Sequence, residues 1–147
     1  MTRTKRAARI GLWLAAMAAT TVTSVVVLQS PSQAATLHCN RVGQSNDAYV
    51  PIIYPSWTPF DCLLTRGDNS VAVRQLQNDM NICYHQQMWD LLGKDVGVDG
   101  DFGPETERAL RRVQQLSGTA ADGEYGPNTR RAMLHQRTSG AYCGRVD

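Results

Sequence analysis

The second half of the chain shows the periodicity of amphipathic helices. The first apolar face recurs at spacings of three, four and three residues and consists of Val73, Leu76, Met80 and Cys83. Such spacing predicts a helix, for which Asp68, Asn69 or Ser70 is available as the N-cap. A second face ends before Gly118 and consists of Thr106, Ala109, Leu110, Val113 and Leu116, and a third, shorter one of Thr129, Ala132 and Met133. The pattern predicts a mainly α-helical domain with three short helices.

A polar and aromatic insert, residues 86–94, follows the first predicted helix. Its pairs Met88-Trp89 and Leu91-Leu92 are compatible with a continued helix and with a packed loop, and the pattern leaves both open. Gly93 and Gly97 then interrupt it.

Residues 35–61 have no helical period. They contain three prolines and the scattered aromatic residues Tyr49, Tyr54 and Trp57. Residues 50–55 look extended, but their prolines are unfavourable in a central strand. We expect an irregular, extended N-terminal arm that lies across the domain and is held by a disulfide.

The N-terminus has the pattern of a secretory signal. Four basic residues among the first nine precede an uncharged, mostly apolar run at residues 10–28, and residues 31–34 end in small side chains suited to a signal peptidase. The run is just long enough for an uncleaved anchor, but the polar interruption at residues 20–24 disfavours that alternative. We predict a signal peptide at 1–34, the arm at 35–61, a domain at 62–147 and a secreted, extracellular or wall-associated protein with no membrane segment after cleavage.

Removing the signal changes the charge balance. The whole chain has fifteen basic and thirteen acidic residues, but eleven basic and all thirteen acidic residues follow position 34, a net charge of −2. No basic stripe remains that would indicate a nucleic-acid partner. The remaining length, about 113 residues, suits one small domain with a modest core.

Four cysteines follow the predicted signal. An even count in an exported chain predicts two disulfides, for which three connectivities are available. We favour Cys39–Cys62, which brackets the arm, and Cys83–Cys143, which ties a helix end to the C-terminal tail. No CxxC spacing and no nearby His complete a zinc site.

Two stretches 23 residues apart are nearly alike. DGDFGPETERAL starts at residue 99 and DGEYGPNTRRAM at residue 122, with seven of twelve positions identical. In each, Asp-Gly favours a tight turn with a positive φ at Gly, an aromatic ring can dock on the core, and Gly-Pro places proline at the first helical position. The residues assigned to these turns are Asp99, Gly100, Phe102, Gly103, Asp122, Gly123 and Gly126.

Neither a metal site nor a catalytic site is favoured. A calcium loop starting at Asp95 would have Gly97 at its third position and Thr106 at its twelfth, where oxygen ligands and a bidentate acid are needed. The three His residues of the chain are isolated, no GxSxG motif occurs, and the disulfides remove a thiol nucleophile. The acids near residues 99–107 suit a turn and a helix N-terminus. We expect no metal, no cofactor and no enzyme activity.

Residues 64 to about 136 resemble the bacterial peptidoglycan-binding domain of the three-helix type. The motifs that carry the resemblance are Leu64-Thr65-Arg66-Gly67-Asp68, then Val73-Arg74-Gln75-Leu76-Gln77, then the two Asp-Gly-x-aromatic-Gly-Pro-x-Thr turns. The chain departs from the family at Val113-Gln114, where Phe-Gln is usual, at Arg130, where Trp is frequent, and in the insert. The resemblance implies a compact helical fold and non-catalytic attachment to peptidoglycan.

A surface that binds this polymer needs groups for sugar rings and for stem-peptide carboxylates. Aromatic faces suit the former, and Asn, Gln and Arg side chains suit hydroxyl, acetamide and carboxylate groups. The candidate ligand residues are Arg74, Gln77, Arg108, Arg112, Tyr125 and Arg131, with Trp89 in the insert as a weaker candidate. Core packing competes with ligand contact for Tyr125, and a solvated helix face competes with it for Arg108 and Arg131.

Two other function classes stay open. The absence of Trp at position 130 and the aromatic insert would also suit a small secreted inhibitor or partner of a wall hydrolase or protease, built on the same fold. A wall hydrolase acting in its own right is the third class.

Overall fold

The computed structural model describes residues 37–140 and 142–147. The predicted signal peptide, residues 1–34, lies outside this part. None of the helices in the described part is both long and apolar enough to cross a membrane.

The described residues form four helices and two small antiparallel sheets. In chain order the elements are β1 (Arg41–Ser45), β2 (Ala48–Ile52), α1 (Val71–Cys83), α2 (His85–Leu92), α3 (Pro104–Ser117), α4 (Pro127–Ala132), β3 (His135–Gln136) and β4 (Cys143–Gly144). The mainly helical class agrees with the prediction. The count of three helices is not confirmed, because most of the insert forms α2.

Part of the N-terminal arm forms a β-hairpin, which corrects the prediction of an irregular arm, whereas residues 53–61 contain neither helix nor strand. β1 and β2 pair antiparallel, with Ser45 opposite Ala48, so that only Asn46 and Asp47 form the turn. Their φ angles are 47° and 59°, as a two-residue hairpin turn requires, and Asn and Asp tolerate this conformation better than most residues. A two-stranded sheet has only edge strands, so it accommodates Pro51.

The ends of the helices follow the sequence signals. Ser70 caps α1, because its Oγ accepts a hydrogen bond from the Val73 N–H at 3.2 Å. Pro104 and Pro127 occupy the first positions of α3 and α4, where the missing N–H costs nothing. Gly118 ends α3 in the left-handed conformation, with φ of 74°.

The main core lies between α1, α3 and the segments that precede them. Its fully buried members include Leu64, Leu76, Met80, Leu110 and Val113. The predicted apolar face of α3 is confirmed apart from Leu116, which is 44% exposed. Leu116 lies in the last turn of α3, next to its final residue, Ser117.

Two disulfides connect the outer segments to this core. Cys39 bonds to Cys62 and Cys83 to Cys143, which is the pairing favoured from the sequence. The first closes the arm, and the second joins the end of α1 to β4. Closing loops in this way limits the freedom of the unfolded chain, which stabilises a domain with a modest core.

Candidate functional site

Each repeated turn is built around one buried glutamine. In the first turn, residues 99–106, this residue is Gln77 of α1, which is 1% exposed. Its Nε2 group donates to Asp99 Oδ1 at 2.8 Å, to the Asp101 carbonyl at 3.0 Å and to Thr106 Oγ1 at 3.2 Å. Its Oε1 accepts from the Gly100 N–H at 2.9 Å. One side chain therefore fixes the turn and the start of α3.

The second turn, residues 122–129, repeats this network around Gln114 of α3. The Gln114 Nε2 group donates to Asp122 Oδ1 at 2.7 Å, to the Glu124 carbonyl at 2.9 Å and to Thr129 Oγ1 at 2.9 Å. Its Oε1 accepts from the Gly123 N–H at 2.9 Å. A buried amide destabilises the fold unless its polar atoms are hydrogen-bonded. In Gln114 both Nε2 and Oε1 have hydrogen-bond partners.

The acidic groups of the turns bond to the turn itself. Asp99 Oδ1 accepts from the Asp101 N–H at 2.9 Å, and Asp122 Oδ1 accepts from the Glu124 N–H at 2.9 Å. The Asp101 N–H and the Gln77 amide lower the pKa of Asp99 from its ordinary value of 3.8, because both hydrogen bonds favour the ionised form. A carboxyl group held in this form is unsuited to donate a proton as an acid catalyst.

The glycines and rings of the turns take the places that the sequence pattern predicts. Gly100 and Gly123 have φ angles of 86° and 76°, a region in which a Cβ atom is unfavourable. Phe102 and Tyr125 are 2% and 1% exposed. The Tyr125 hydroxyl has no hydrogen-bond partner among the described residues, and burial raises the pKa of this phenol well above its ordinary value.

Both turns pair through their backbones with the segment that precedes α1. Leu64 and Tyr125 exchange N–H···O bonds of 2.8 and 2.9 Å, and the Phe102 N–H donates to the Asp68 carbonyl at 2.8 Å. Residues 64–68, the first motif of the resemblance, therefore hold both turns against the segment that leads into α1.

A small cleft adjoins the second turn. Its volume is about 180 Å³, and it is lined by Leu63, Thr119, Ala120, Asp122, Glu124, Gly126, Pro127, Asn128 and Thr129. The lining mixes apolar carbon with carboxylate, amide and hydroxyl oxygen. Such a mixture suits a polar ligand fragment that also carries apolar surface.

The predicted ligand residues divide into exposed and buried groups. Arg74, Arg108, Arg112 and Arg131 are exposed, whereas Gln77 and Tyr125 are buried and do not reach the surface. Arg131 donates to Asn128 Oδ1 at 2.7 Å, which ties it to a residue that lines the cleft. Arg74 donates to the Asp99 carbonyl at 3.2 Å, so it covers the first turn instead.

Of the other candidate ligand residues, Arg108 and Arg112 lie on one face of α3, and Trp89 lies on α2. Arg108 and Arg112 are four residues apart, which makes them neighbours on the helix surface. Trp89 is 49% exposed, and its indole N–H donates to Asp95 Oδ1 at 3.2 Å. The cleft contains none of the predicted ligand residues, although Arg131 is hydrogen-bonded to its wall.

A buried Asp–His pair was not anticipated from the sequence. Asp79 and His135 are both 0% exposed, and His135 Nδ1 lies 2.8 Å from Asp79 Oδ2. His135 Nε2 donates to the Arg130 carbonyl at 2.8 Å, since a carbonyl only accepts. Burial raises the pKa of Asp79, but no solvent reaches this carboxyl group, which therefore serves structure rather than proton transfer with a substrate.

No group of three His, Cys, Asp or Glu side chains within residues 37–140 and 142–147 is placed to hold a metal ion. The four cysteines are all in disulfides. The side chains of the described residues can contact a ligand through hydrogen bonds, aromatic stacking and ion pairs.

The central segment of the chain is similar to a known family of domains. Residues 69–133 match a family model described as "Putative peptidoglycan binding domain". The match confirms the resemblance drawn from the turn motifs, spans α1 to α4 and both turns, and supports peptidoglycan as the binding partner in general. A search of curated proteins found no match.

Proposed function

We propose that the protein is a secreted, non-catalytic module that binds cell-wall peptidoglycan through the cleft beside the second turn and through Arg131 at its wall. The observation that carries this proposal is the position of the cleft. It lies within the family-matched segment apart from Leu63, and the Asn128–Arg131 hydrogen bond continues its wall into a basic side chain. Two disulfides are compatible with an extracellular location.

The charges near the cleft suggest which parts of the polymer it would contact. Asp122, Glu124 and Asn128 offer acceptors for sugar hydroxyl and amide N–H groups. Arg131 is exposed and offers the planar donor set that pairs with a stem-peptide carboxylate. Arg108 and Arg112, on one face of α3, are assigned secondary contacts, and Arg74, which lies on α1 and covers the first turn, is assigned a smaller part.

A non-catalytic role is supported by the state of the carboxyl groups. Asp99 and Glu105 have lowered pKa values, in the second case because Lys94 bonds to the carboxylate, while the Asp79 carboxyl group with its raised pKa is buried. A general acid needs a carboxyl group that is both protonated near neutral pH and accessible to substrate. None of these three groups meets both conditions.

Sedimentation with purified insoluble peptidoglycan tests the proposal. We expect the wild-type protein to pellet with the polymer at low salt, and Arg131→Ala to weaken binding by about threefold to tenfold, since a typical solvent-accessible hydrogen bond contributes about 0.5–1.5 kcal/mol. Arg145→Ala is the matched control, because Arg145 is exposed in the C-terminal tail, outside the matched segment.

Protein that stays in the supernatant while a known wall binder sediments would contradict peptidoglycan binding. Clearing of a wall suspension by the pure protein would contradict the non-catalytic role. Recovery of a hydrolase or protease on the immobilised protein, together with no binding to the polymer, would favour the inhibitor or partner hypothesis instead.

A further inference from the structure

The loop after β2 presents two aromatic side chains that the domain itself does not use. Trp57 is fully exposed to solvent, and Tyr54 is 66% exposed. Together with Pro55 and Ser56 they line an open surface concavity of about 380 Å³. This loop precedes residues 69–133 and is therefore not part of the family-matched segment.

The backbone of this loop is held from several sides. Asn40 binds Tyr54 twice, with Nδ2 donating to the Tyr54 carbonyl and Oδ1 accepting from the Tyr54 N–H, each at 2.9 Å. The Ile53 N–H donates to the Pro59 carbonyl at 2.9 Å, and the Cys39–Cys62 disulfide closes the segment. A fixed backbone reduces the cost of ordering the loop on binding, which favours affinity.

The chemistry of the concavity narrows the class of ligand. Its four lining residues carry no formal charge and offer an indole, a phenol, a proline ring and a hydroxyl group. Flat aromatic faces contact apolar C–H surface, while the phenol and indole edges provide hydrogen bonds. A neutral sugar ring in the pyranose form has both properties, with an apolar face of C–H groups and a rim of hydroxyl groups.

The size of the feature favours a polymer of sugars over a protein partner. A stable protein interface buries about 800 Å² on each partner, which four residues on one loop do not supply.

We propose that Tyr54 and Trp57 form a second binding site, a stacking platform for neutral polysaccharides with pyranose rings. This site is separate from the cleft of the proposed function and does not depend on it.

Calorimetric titration with chitohexaose and with cellohexaose tests the platform. Both probes are neutral and lack peptides, and the pair distinguishes a need for acetamide groups from recognition of the ring alone. We expect at least one hexamer to bind, Trp57→Ala to weaken it by about tenfold or more as for a truncated aromatic hot spot, and Trp57→Phe to retain part of the binding. Tyr142→Ala is the matched control, since Tyr142 is 76% exposed and outside the loop.

Absence of binding to both hexamers would overturn the platform, as would equal losses in Trp57→Ala and Tyr142→Ala. Capture of a protein that depends on Trp57, without sugar binding, would also overturn it. Parallel sedimentation with peptidoglycan separates the two proposals. If wild type and Trp57→Ala pellet equally while no hexamer binds, the platform fails and the cleft stands.

Discussion

The first and second turns share one hydrogen-bond network but differ in what surrounds it. At the position equivalent to Asn128, the first turn has Glu105, which pairs with Lys94 at 2.7 Å and accepts from the Gly97 N–H at 3.3 Å. In the second turn Asn128 and Ala120, the equivalent of Gly97, line the open cleft. The repeat therefore supplies the frame, and the exchanged residues decide which turn offers a surface to a ligand.

Replacing the central glutamines tests whether the two frames are equivalent. We expect Gln77→Leu and Gln114→Leu each to lower the free energy of unfolding by about 3 kcal/mol or more, because each removes all the hydrogen bonds of the buried amide and leaves the buried N–H of Gly100 or Gly123 unpaired. Denaturant titration measures this loss of stability. Gln115→Leu is the control, because Gln115 is exposed and lies beside Gln114 on α3. A loss in only one turn, or in neither, would show that the networks are not equally structural.

The turn glycines distinguish the two environments. We expect Gly100→Ala and Gly123→Ala each to cost about 1–2 kcal/mol from the positive φ alone. A Cβ atom at Gly100 would lie 3.1 Å from the Ser70 carbonyl, whereas one at Gly123 would lie 2.9 Å from both Arg111 Nε and Glu107 Cγ and 3.0 Å from Arg111 Cζ. The cost at Gly123 should therefore fall when Arg111 is removed.

A double-mutant cycle measures this coupling by thermal unfolding. We expect Gly123→Ala and Arg111→Ala to couple by about 0.5–1 kcal/mol, whereas Gly100→Ala and Arg111→Ala should be additive. Equal coupling of both glycines to Arg111 would contradict the assignment of the contact to the second turn.

Exchanging the residues that differ should affect binding more than stability. Asn128→Glu places a carboxylate in the cleft beside Arg131. This carboxylate would pair with Arg131 in place of the ligand, so we expect peptidoglycan binding to weaken by about tenfold, or roughly 1.4 kcal/mol. Glu105→Asn, the reverse exchange in the first turn, is the matched control and should leave binding unchanged. Equal effects of the two exchanges in the sedimentation assay would count against the cleft.

The smallest expected effect is on the dependence of stability on pH. The folded pKa of Asp99 lies below its ordinary value of 3.8, so its contribution to stability is present above the unfolded pKa and is lost as the pH falls through the folded pKa. We therefore expect Asp99→Asn, which keeps the acceptor oxygen, to flatten the acid side of the stability curve. An unchanged slope below pH of about 4 would contradict this cause.

Much of the scaffold could be predicted because its signals are local. Asp-Gly, Gly-Pro and the apolar spacing act within a few residues, and they place the positive φ of Gly100 and Gly123, the starts of α3 and α4 and most of the core face. The hairpin of the arm was missed because the prolines outweighed its turn signal, Asn46-Asp47. The two-residue spacing between strands was the signal that could have found it.

The site was harder to predict because it depends on contacts between distant segments. The sequence pattern places Gln77 among the candidate ligand residues and assigns no role to Gln114. Yet each directly follows a core residue, Leu76 or Val113, and faces the turn from its helix. That repeated apolar–Gln pair was the available signal for a structural role. The cleft brings Leu63 together with residues 119–129, and Asp79 meets His135 across 56 positions, which no local pattern reveals.

The most direct test of the central claim is an amide chemical-shift map of the isotope-labelled protein titrated with a soluble disaccharide-peptide fragment of peptidoglycan. If the second turn offers the surface and the first is frame, the largest changes will fall on residues 119–131, while Gly100 and Asp101 remain unchanged. Changes centred on residues 99–103, or no changes at all, would contradict the account.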